Sequence, residues 1–165
     1  MGEEEARQQG LYQMIGSQVD DAYMEELKKL VIHPEILKEE AGDLKIVYTP
    51  LHGTGNLPVR RILKELGFTN VYVVKEQEQP DGEFPTVPYP NPEDKRAFEL
   101  ALKLARQVDA DLVLATDPDA DRLGIYARDS VRGEYKSFSG NMSGMILLEY
   151  ILSQKKAMGT LPKDG

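Results

Sequence analysis

The apolar positions of the chain follow two spacings, and each spacing predicts one type of secondary structure. Apolar residues three or four apart indicate amphipathic helices, whereas short runs rich in β-branched and aromatic residues indicate strands. The helical spacing covers residues 20–31, 32–43, 59–66, 92–108 and 141–153. The strand pattern covers residues 45–49, 71–74, 112–115 and 124–128. Strands that alternate with helices are typical of an α/β fold.

The connections between the predicted strands indicate how the strands pair. A glycine loop and a helix separate the first two, which makes a βαβ unit with a right-handed crossover. Residues 116–123 join the last two strands and are too few for a parallel crossover, so the last strand should be antiparallel. We therefore expect a three-layer α/β/α domain with a mixed, mostly parallel sheet of about four strands.

Changes in composition along the chain predict three segments. Residues 1–16 are polar and glycine-containing, and should be a tail or the end of a preceding domain. Residues 17–130 should form the α/β domain, and residues 131–165 should begin a following domain with a helix at about 141–153, after a turn-rich stretch at 129–140. Residues 155–165 should be a frayed end. The helix is apolar on most sides, which predicts burial against another surface or self-association.

Composition and charge exclude several classes of function. The 165 residues are 41% hydrophobic, enough for one substantial core. With 28 acidic and 20 basic residues the net charge is -8, which argues against nucleic acid or an anionic membrane as the main partner. No apolar run reaches the roughly 18 residues of a membrane span. The absence of cysteine and an acidic, signal-free amino terminus fit a cytoplasmic location.

Three aspartates at alternate positions follow the third predicted strand. They are Asp117, Asp119 and Asp121, in the sequence Thr-Asp-Pro-Asp-Ala-Asp-Arg-Leu-Gly at residues 116–124. In an extended backbone their side chains would point to one side. At about 4 Å each pair of carboxylates repels by about 4 kcal/mol at an effective dielectric constant near 20, and a divalent cation would relieve that repulsion. Oxygen ligands favour Mg²⁺, Ca²⁺ or Mn²⁺.

A solvated acidic loop and an EF-hand are both less favoured for these three aspartates. Acidic runs are usually solvated loops, but this run lies at the carboxyl end of a strand, where open α/β sheets bind ligands. An EF-hand loop would need glycine at its sixth position and glutamate at its twelfth, where this chain has Arg122 and Arg128.

A glycine loop after the first strand is a second candidate site. Its residues His52, Gly53, Thr54 and Gly55 precede a helix, whose free N–H groups and dipole attract anions. A role facing the substrate or its phosphate and a purely conformational role remain equally open, and a lone histidine is more often a packing residue than a catalyst. A dinucleotide fingerprint is disfavoured because the third glycine is missing and Pro58 removes an N–H group.

Four segments in order resemble landmarks of the phosphoglucomutase and phosphomannomutase superfamily, and closely its bacterial glucose-type branch. They are residues 49–55, 80–84, 90–93 and 116–124, and the resemblance runs from about Gly10 to Lys156. It implies a four-domain enzyme of carbohydrate metabolism. There, a phosphoserine of the first domain donates its phosphoryl group to a hexose 1-phosphate, glucose being the expected sugar, and the other phosphate of the bisphosphate intermediate returns to the serine.

The resemblance also implies roles for residues of this chain. Asp117, Asp119 and Asp121 would hold Mg²⁺, which also contacts the phosphoserine, and Arg122 would be catalytic beside the phosphoryl group. The family's phosphoserine loop and the loops of its third and fourth domains have no counterpart in the sequence. The chain therefore resembles the second domain with short flanks, with a phosphorylated hexose and the first, third and fourth domains as partners. We expect it to be inactive as a mutase by itself.

A phosphatase and an interaction module also remain open from the sequence. A stand-alone Mg²⁺-dependent phosphatase could use one aspartate as its nucleophile, with an acid and a lysine supplied elsewhere in the chain. A non-enzymatic interaction module could have kept the fold alone.

Overall fold

A computed structural model describes residues 2–162, which divide into two compact units, at residues 2–31 and 32–162. The first unit contains α1 (Glu3–Gln8) and α2 (Ser17–Lys28). Helix α1 lies in the segment that was predicted to be a tail. Helix α2 begins earlier than predicted, so Asp20 lies in its first turn, where a negative charge stabilises the helix dipole.

The second unit contains a five-stranded sheet and the remaining helices. In chain order these are α3 (Pro34–Glu40), β1 (Lys45–Thr49), α4 (Asn56–Glu65), β2 (Asn70–Val73), α5 (Glu99–Val108), β3 (Leu112–Thr116), β4 (Leu123–Arg128), β5 (Tyr135–Phe138) and α6 (Gly140–Ala157). The strand order is β2-β1-β3-β4-β5. Strand β1 pairs in parallel with β2 and β3, and β4 is antiparallel to both β3 and β5. The predicted α/β class and mixed sheet are confirmed.

The fifth strand was not predicted. Residues 129–140 were expected to be turn-rich, but a tight turn at Asp129–Glu134 returns the chain and β5 pairs with β4. Gly133 supplies a positive φ of 72° in that turn, which glycine adopts without a steric cost. The sheet therefore continues past the predicted domain boundary at residue 130, and the assignment of residues 131–165 to a following domain stays a prediction.

The order of the strands creates a switch point between β1 and β3. From β1 the chain crosses through α4 to β2 on one side, whereas β3 leads to β4 on the other side. Helix α5 packs on β1 and β3. Because crossovers between parallel strands are nearly always right-handed, we expect α4 to lie on the opposite face of the sheet. The carboxyl ends of β1 and β3 lie side by side, with Thr49 paired to Ala115. Ligands of open α/β sheets bind at such a point.

The start of α5 differs from the expected one. The helical spacing predicted a start at Pro92, directly after Asn91, a good capping residue, but Asp94 is the cap residue, and its carboxylate accepts the Arg96 N–H group at 2.9 Å. A 3-10 turn (Lys95–Phe98) follows and continues into α5. The Asn91 side chain instead accepts the Glu93 N–H group. Two good capping residues three positions apart compete here, and tertiary packing selects the second.

Helix α6 is longer than predicted at its carboxyl end. It runs to Ala157, so part of the expected frayed end at residues 155–165 is helical. Residues 163–165 of that prediction lie outside the described residues. Within residues 2–162, no helix combines the length and the apolar character that crossing a membrane requires.

Candidate metal centre

The three aspartates predicted to bind a cation come together at the carboxyl end of β3. One carboxylate oxygen of each of Asp117, Asp119 and Asp121 lies within 4.8 Å of the other two. Asp117 is buried, and the other two are exposed. The cluster thus has one buried carboxylate, from Asp117, and two that are exposed to solvent, from Asp119 and Asp121.

The aspartate loop, defined here as residues 117–122, is a turn rather than an extended segment. The Ala120 N–H group donates to the Asp117 carbonyl at 3.0 Å, and Pro118 occupies the second turn position, which its fixed φ suits. Ala120 itself has a φ of 60°, in the left-handed region. The extended geometry assumed from the sequence is therefore wrong, and the carboxylates converge because the backbone curls around them.

Arg122 closes the loop through its backbone and its side chain. Its N–H group donates to Asp117 Oδ1 at 3.0 Å, and its Nε lies 3.6 Å from Asp117 Oδ2 and 3.8 Å from Asp121 Oδ1. The guanidinium is about half exposed, at 54%. One cation beside three carboxylates leaves an excess of negative charge, and the donor set is oxygen only. These residues fit a hard divalent cation such as Mg²⁺, Mn²⁺ or Ca²⁺.

A buried hydroxyl pair supports the start of the aspartate loop. The Tyr48 hydroxyl and Thr116 Oγ1 lie 2.8 Å apart, and both residues are buried. Burial raises the pKa of the Tyr48 phenol above its ordinary value, partly offset by the Thr116 hydrogen bond and by Arg60. Because Thr116 precedes Asp117 directly, this pair holds the backbone from which the buried Asp117 carboxylate projects.

The glycine loop, defined here as residues 51–55, lies directly against the aspartate loop. Thr54 donates to the Pro118 carbonyl oxygen twice, from its N–H group at 2.8 Å and from Oγ1 at 3.1 Å. Leu51 and His52 both have positive φ angles, of 46° and 62°, which side-chain-bearing residues adopt only with support from their surroundings. The second candidate site and the metal site are therefore parts of one structure.

His52 is held inside the fold by hydrogen bonds on both ring nitrogens. Its Nδ1–H group donates to the Gln79 carbonyl at 3.1 Å, and Nε2 accepts from the Thr86 hydroxyl at 2.8 Å. Gln77, fully buried, donates to Thr86 Oγ1 and accepts from the Thr49 hydroxyl. With the proton of the ring on Nδ1, both ring nitrogens of His52 thus have a partner. Substrate contact by His52, Gly53, Thr54 or Gly55 stays a prediction.

The supporting residues were not found from the sequence. Tyr48 and Thr116 are 68 positions apart, and a tyrosine or threonine in a strand normally indicates only β-propensity. One available signal was the position of each near the carboxyl end of a strand next to a candidate loop. Thr86 and Gln77 belong to the irregular connection after β2, for which no pattern predicted contacts.

Fold and site together define an α/β domain with a cluster of three carboxylates at its switch point, whose oxygens are suited to hold a cation. Residues 21–132 match the family model described as phosphoglucomutase/phosphomannomutase, alpha/beta/alpha domain II. The chain belongs to this family, and the match supports the resemblance inferred from the four sequence segments.

Known relatives support this assignment. The chain is 40% identical over 152 residues to a phosphoglucomutase of Staphylococcus epidermidis, covering 92% of this chain and 27% of the relative. It is also 40% identical over 151 residues to a Haemophilus influenzae protein named "Probable phosphomannomutase", covering 91% of this chain and 30% of the relative. The chain thus spans less than a third of the length of these relatives.

A solved structure shares the fold. A phosphoglucomutase/phosphomannomutase family protein from Burkholderia thailandensis superimposes with a TM-score of 0.56 at 21% identity. The superposition covers 86% of this chain and 33% of that protein. At this identity the match supports the architecture alone.

Proposed function

We propose that this chain is the metal-binding domain of a phosphohexomutase that interconverts hexose 1-phosphate and 6-phosphate, with glucose as the preferred sugar. The observation that carries the proposal is the cluster of three carboxylate oxygens within 4.8 Å at the end of β3, with the Arg122 guanidinium beside it. Membership of the family and the names of the relatives support the choice of reaction.

In this proposal Asp117, Asp119 and Asp121 hold Mg²⁺. The bound ion would supply positive charge to the oxygens of a phosphoryl group. Arg122 is the catalytic residue of this chain: its exposed guanidinium presents donors that can hold phosphoryl oxygens. Its backbone N–H group, through Asp117 Oδ1, keeps the buried carboxylate oriented. The phosphoserine and the groups that recognise the sugar come from other domains.

By the same reasoning, this chain supplies only part of the metal site, which we call a half-site. Three carboxylates supply three ligands, and the phosphoserine oxygen that completes the site belongs to another domain. Cation binding to the isolated chain should therefore be weak, with a dissociation constant above the micromolar range. The site's location at the switch point, open to solvent on one side, is suited to closure by another domain.

Helix α6 is the part of the chain that we assign to the start of the following domain. Its apolar side chains are exposed to between 38% for Ile151 and 65% for Met145, although an isolated globular domain would bury such a helix. Relatives more than three times as long supply sequence that can cover it.

Manganese titration of the purified chain, followed by electron paramagnetic resonance, tests the metal site. The variant Asp119→Asn removes an exposed ligand and should lower Mn²⁺ affinity about tenfold or more, while leaving the fold intact. Asp43→Asn, an exposed residue away from the site, is the matched control because it removes the same charge. Equal affinities of the two variants would contradict the assignment of the aspartate loop.

Three further measurements separate this proposal from its alternatives. Incubated with glucose 1-phosphate and Mg²⁺, the chain should form no more glucose 6-phosphate than a metal-free control does. Clear conversion would contradict the proposal that the chain supplies only a half-site. Micromolar or tighter Mg²⁺ binding by calorimetry would do the same. Trapping of beryllium fluoride on Asp117 would instead support a stand-alone aspartyl phosphatase.

A further inference from the structure

We propose that the glycine loop positions the aspartate loop, and that Gly53 and Thr54 are positioning residues for the cation ligands. This inference rests on the proposed function in that the positioned carboxylates are taken to be ligands. In this role the glycine loop needs no contact with substrate. It holds the Pro118 carbonyl, and this contact fixes the backbone of the turn on both sides of Pro118.

The first contact is the pair of hydrogen bonds from Thr54 to Pro118. The N–H group and the hydroxyl both donate to one carbonyl oxygen, at 2.8 and 3.1 Å. Pro118 lies between the ligands Asp117 and Asp119, and its peptide group is part of the turn that brings them together. Two donors on one acceptor fix the direction of that carbonyl more tightly than one donor would.

The second contact is the close approach of the two backbones at Gly53. A Cβ atom on Gly53 would lie 2.5 Å from the Pro118 carbonyl oxygen and 2.7 Å from its carbonyl carbon. Both atoms belong to the backbone, so the clash could be relieved only by moving the aspartate loop or the glycine loop. Glycine is needed here because of the partner backbone, and its own φ is not in the left-handed region.

The third contact lies at Gly55, against the root of the aspartate loop. A Cβ atom there would lie 2.7 Å from both Thr116 Oγ1 and the Tyr48 hydroxyl oxygen, and 3.3 Å from Ala120 Cβ. The glycine loop therefore touches the residue before Asp117, the residue after it and the residue before Asp121.

A loop that positions another loop must itself be held in place, and the hydrogen bonds of His52 hold the glycine loop. Its side chain is only 6% exposed and hydrogen-bonds Gln79 and Thr86, and its own N–H group donates to the Gln77 carbonyl at 3.0 Å. The glycine loop is thereby attached to the segment that follows β2. A fixed support on one side and Pro118 on the other hold the aspartate loop in one conformation before any cation binds.

The test compares four variants of the chain. Gly53→Ala introduces the backbone clash, and Gly82→Ala is its control because a Cβ atom on Gly82 has no neighbour within 4 Å. Thr54→Val removes the hydroxyl donor but keeps the N–H group, and Thr54→Ser restores a hydroxyl. Thr54 is exposed, so both of its variants should fold even if Gly53→Ala does not.

Two readouts are needed, one of them without metal. In the metal-free chain, hydrogen exchange of the Arg122 amide, which donates to Asp117, should become about tenfold faster in Gly53→Ala and in Thr54→Val. Mn²⁺ affinity should fall by about 10- to 100-fold in Gly53→Ala and about tenfold in Thr54→Val, as for residues that orient metal ligands. Thr54→Ser and Gly82→Ala should match the wild type in both readouts.

The outcomes separate the inference from the proposed function. If the wild type binds no Mn²⁺, the proposed function fails, and the exchange of the Arg122 amide still decides whether the glycine loop positions the turn. Wild-type exchange and wild-type Mn²⁺ affinity in a folded Thr54→Val chain would overturn the inference. Equal losses in Thr54→Val and Thr54→Ser would also overturn it, because the hydroxyl donor would then be irrelevant.

Discussion

The hydroxyl pair of Tyr48 and Thr116 offers a prediction at the scale of single residues. Tyr48→Phe leaves the buried Thr116 hydroxyl without a partner, so the free energy of unfolding should fall by about 1–2 kcal/mol. Urea unfolding measures this change. The control Tyr89→Phe alters a tyrosine that is 58% exposed and should stay within about 0.5 kcal/mol of the wild type.

A double variant shows whether the pair acts as a unit. Replacing both hydroxyls, in Tyr48→Phe with Thr116→Val, removes donor and acceptor together and leaves no unsatisfied group. The double variant should be less destabilised than the sum of the two single variants by more than about 0.5 kcal/mol. Strict additivity would mean that the two hydroxyls contribute independently.

Gly124 gives a second residue-scale prediction, on packing. A Cβ atom there would lie 2.7 Å from Phe98 Cζ and 2.8 Å from Pro92 Cβ, so Gly124→Ala should destabilise the chain by about 1–3 kcal/mol. Gly144→Ala is the matched control, because its Cβ meets nothing within 4 Å and alanine favours a helix interior by about 0.5–1 kcal/mol. Thermal unfolding of both variants should show opposite signs, and equal destabilisation would contradict the packing argument.

At the scale of elements, the β4–β5 hairpin depends on one carboxylate. Asp129 accepts hydrogen bonds from the Lys136 ammonium and from the N–H groups of Arg132 and Val131. The Lys136 bond, followed by the two backbone bonds, lowers the pKa of Asp129 from 3.8 to about 2. Because the folded pKa lies below the unfolded one, the stabilisation is present above about pH 4 and is lost as the pH falls through about 2.

This gives an acid-stability prediction for the hairpin. In the wild type, hydrogen-exchange protection of the β5 amides should decrease between pH 4 and pH 2, after correction for intrinsic rates. Asp129→Asn should already show reduced protection at pH 5 and should lose this part of the pH dependence. Asp43→Asn, with the same charge change, should behave as the wild type, and an unchanged profile in Asp129→Asn would refute the role of this carboxylate.

The elements that sequence reasoning predicted well are those with a strong local pattern. Strand β1 has the predicted bounds, and β3 and β4 differ from their predictions by one residue each. Strand β5 was missed because its two aromatic residues, Tyr135 and Phe138, are three positions apart and so lack the two-residue alternation of a strand. These residues form a strand through pairing with β4. Its existence depends on the turn at Asp129, a tertiary cause that periodicity does not record.

The aspartate loop shows the same division between local and distant causes. The residue types and their carboxyl-end position were enough to predict that the three carboxylates come together, because the three aspartates are close in sequence. The backbone shape of the loop was not predicted. Ala120 adopts a left-handed conformation, and the Pro118 carbonyl is supported by Thr54, which lies 64 positions earlier in the sequence. A spacing of two residues fits both an extended strand and a tight turn, and the sequence does not separate them.

At the scale of the whole molecule, the exposed apolar side chains of α6 predict association of the isolated chain. Sedimentation should show a mass that rises with concentration. The double variant Met145→Lys with Leu148→Lys changes neighbouring positions on one helical face and should keep the chain monomeric. Val131→Lys, at a residue 91% exposed in the hairpin turn, is the control and should associate as the wild type does. A wild-type chain that is monomeric at every concentration would contradict this prediction.

The contacts of Thr54 with Pro118 also bear on the order in which the molecule assembles. The three aspartates lie within five consecutive residues, whereas the support of their turn comes from 64 positions earlier in the chain. Contacts between distant residues form late, because the entropy of closing the intervening loop must be offset first. The aspartate loop should therefore reach its final shape only after β1 has paired with β3. Cation affinity would thus be acquired near the end of folding, and a bound Mn²⁺ ion would report on completion of the sheet.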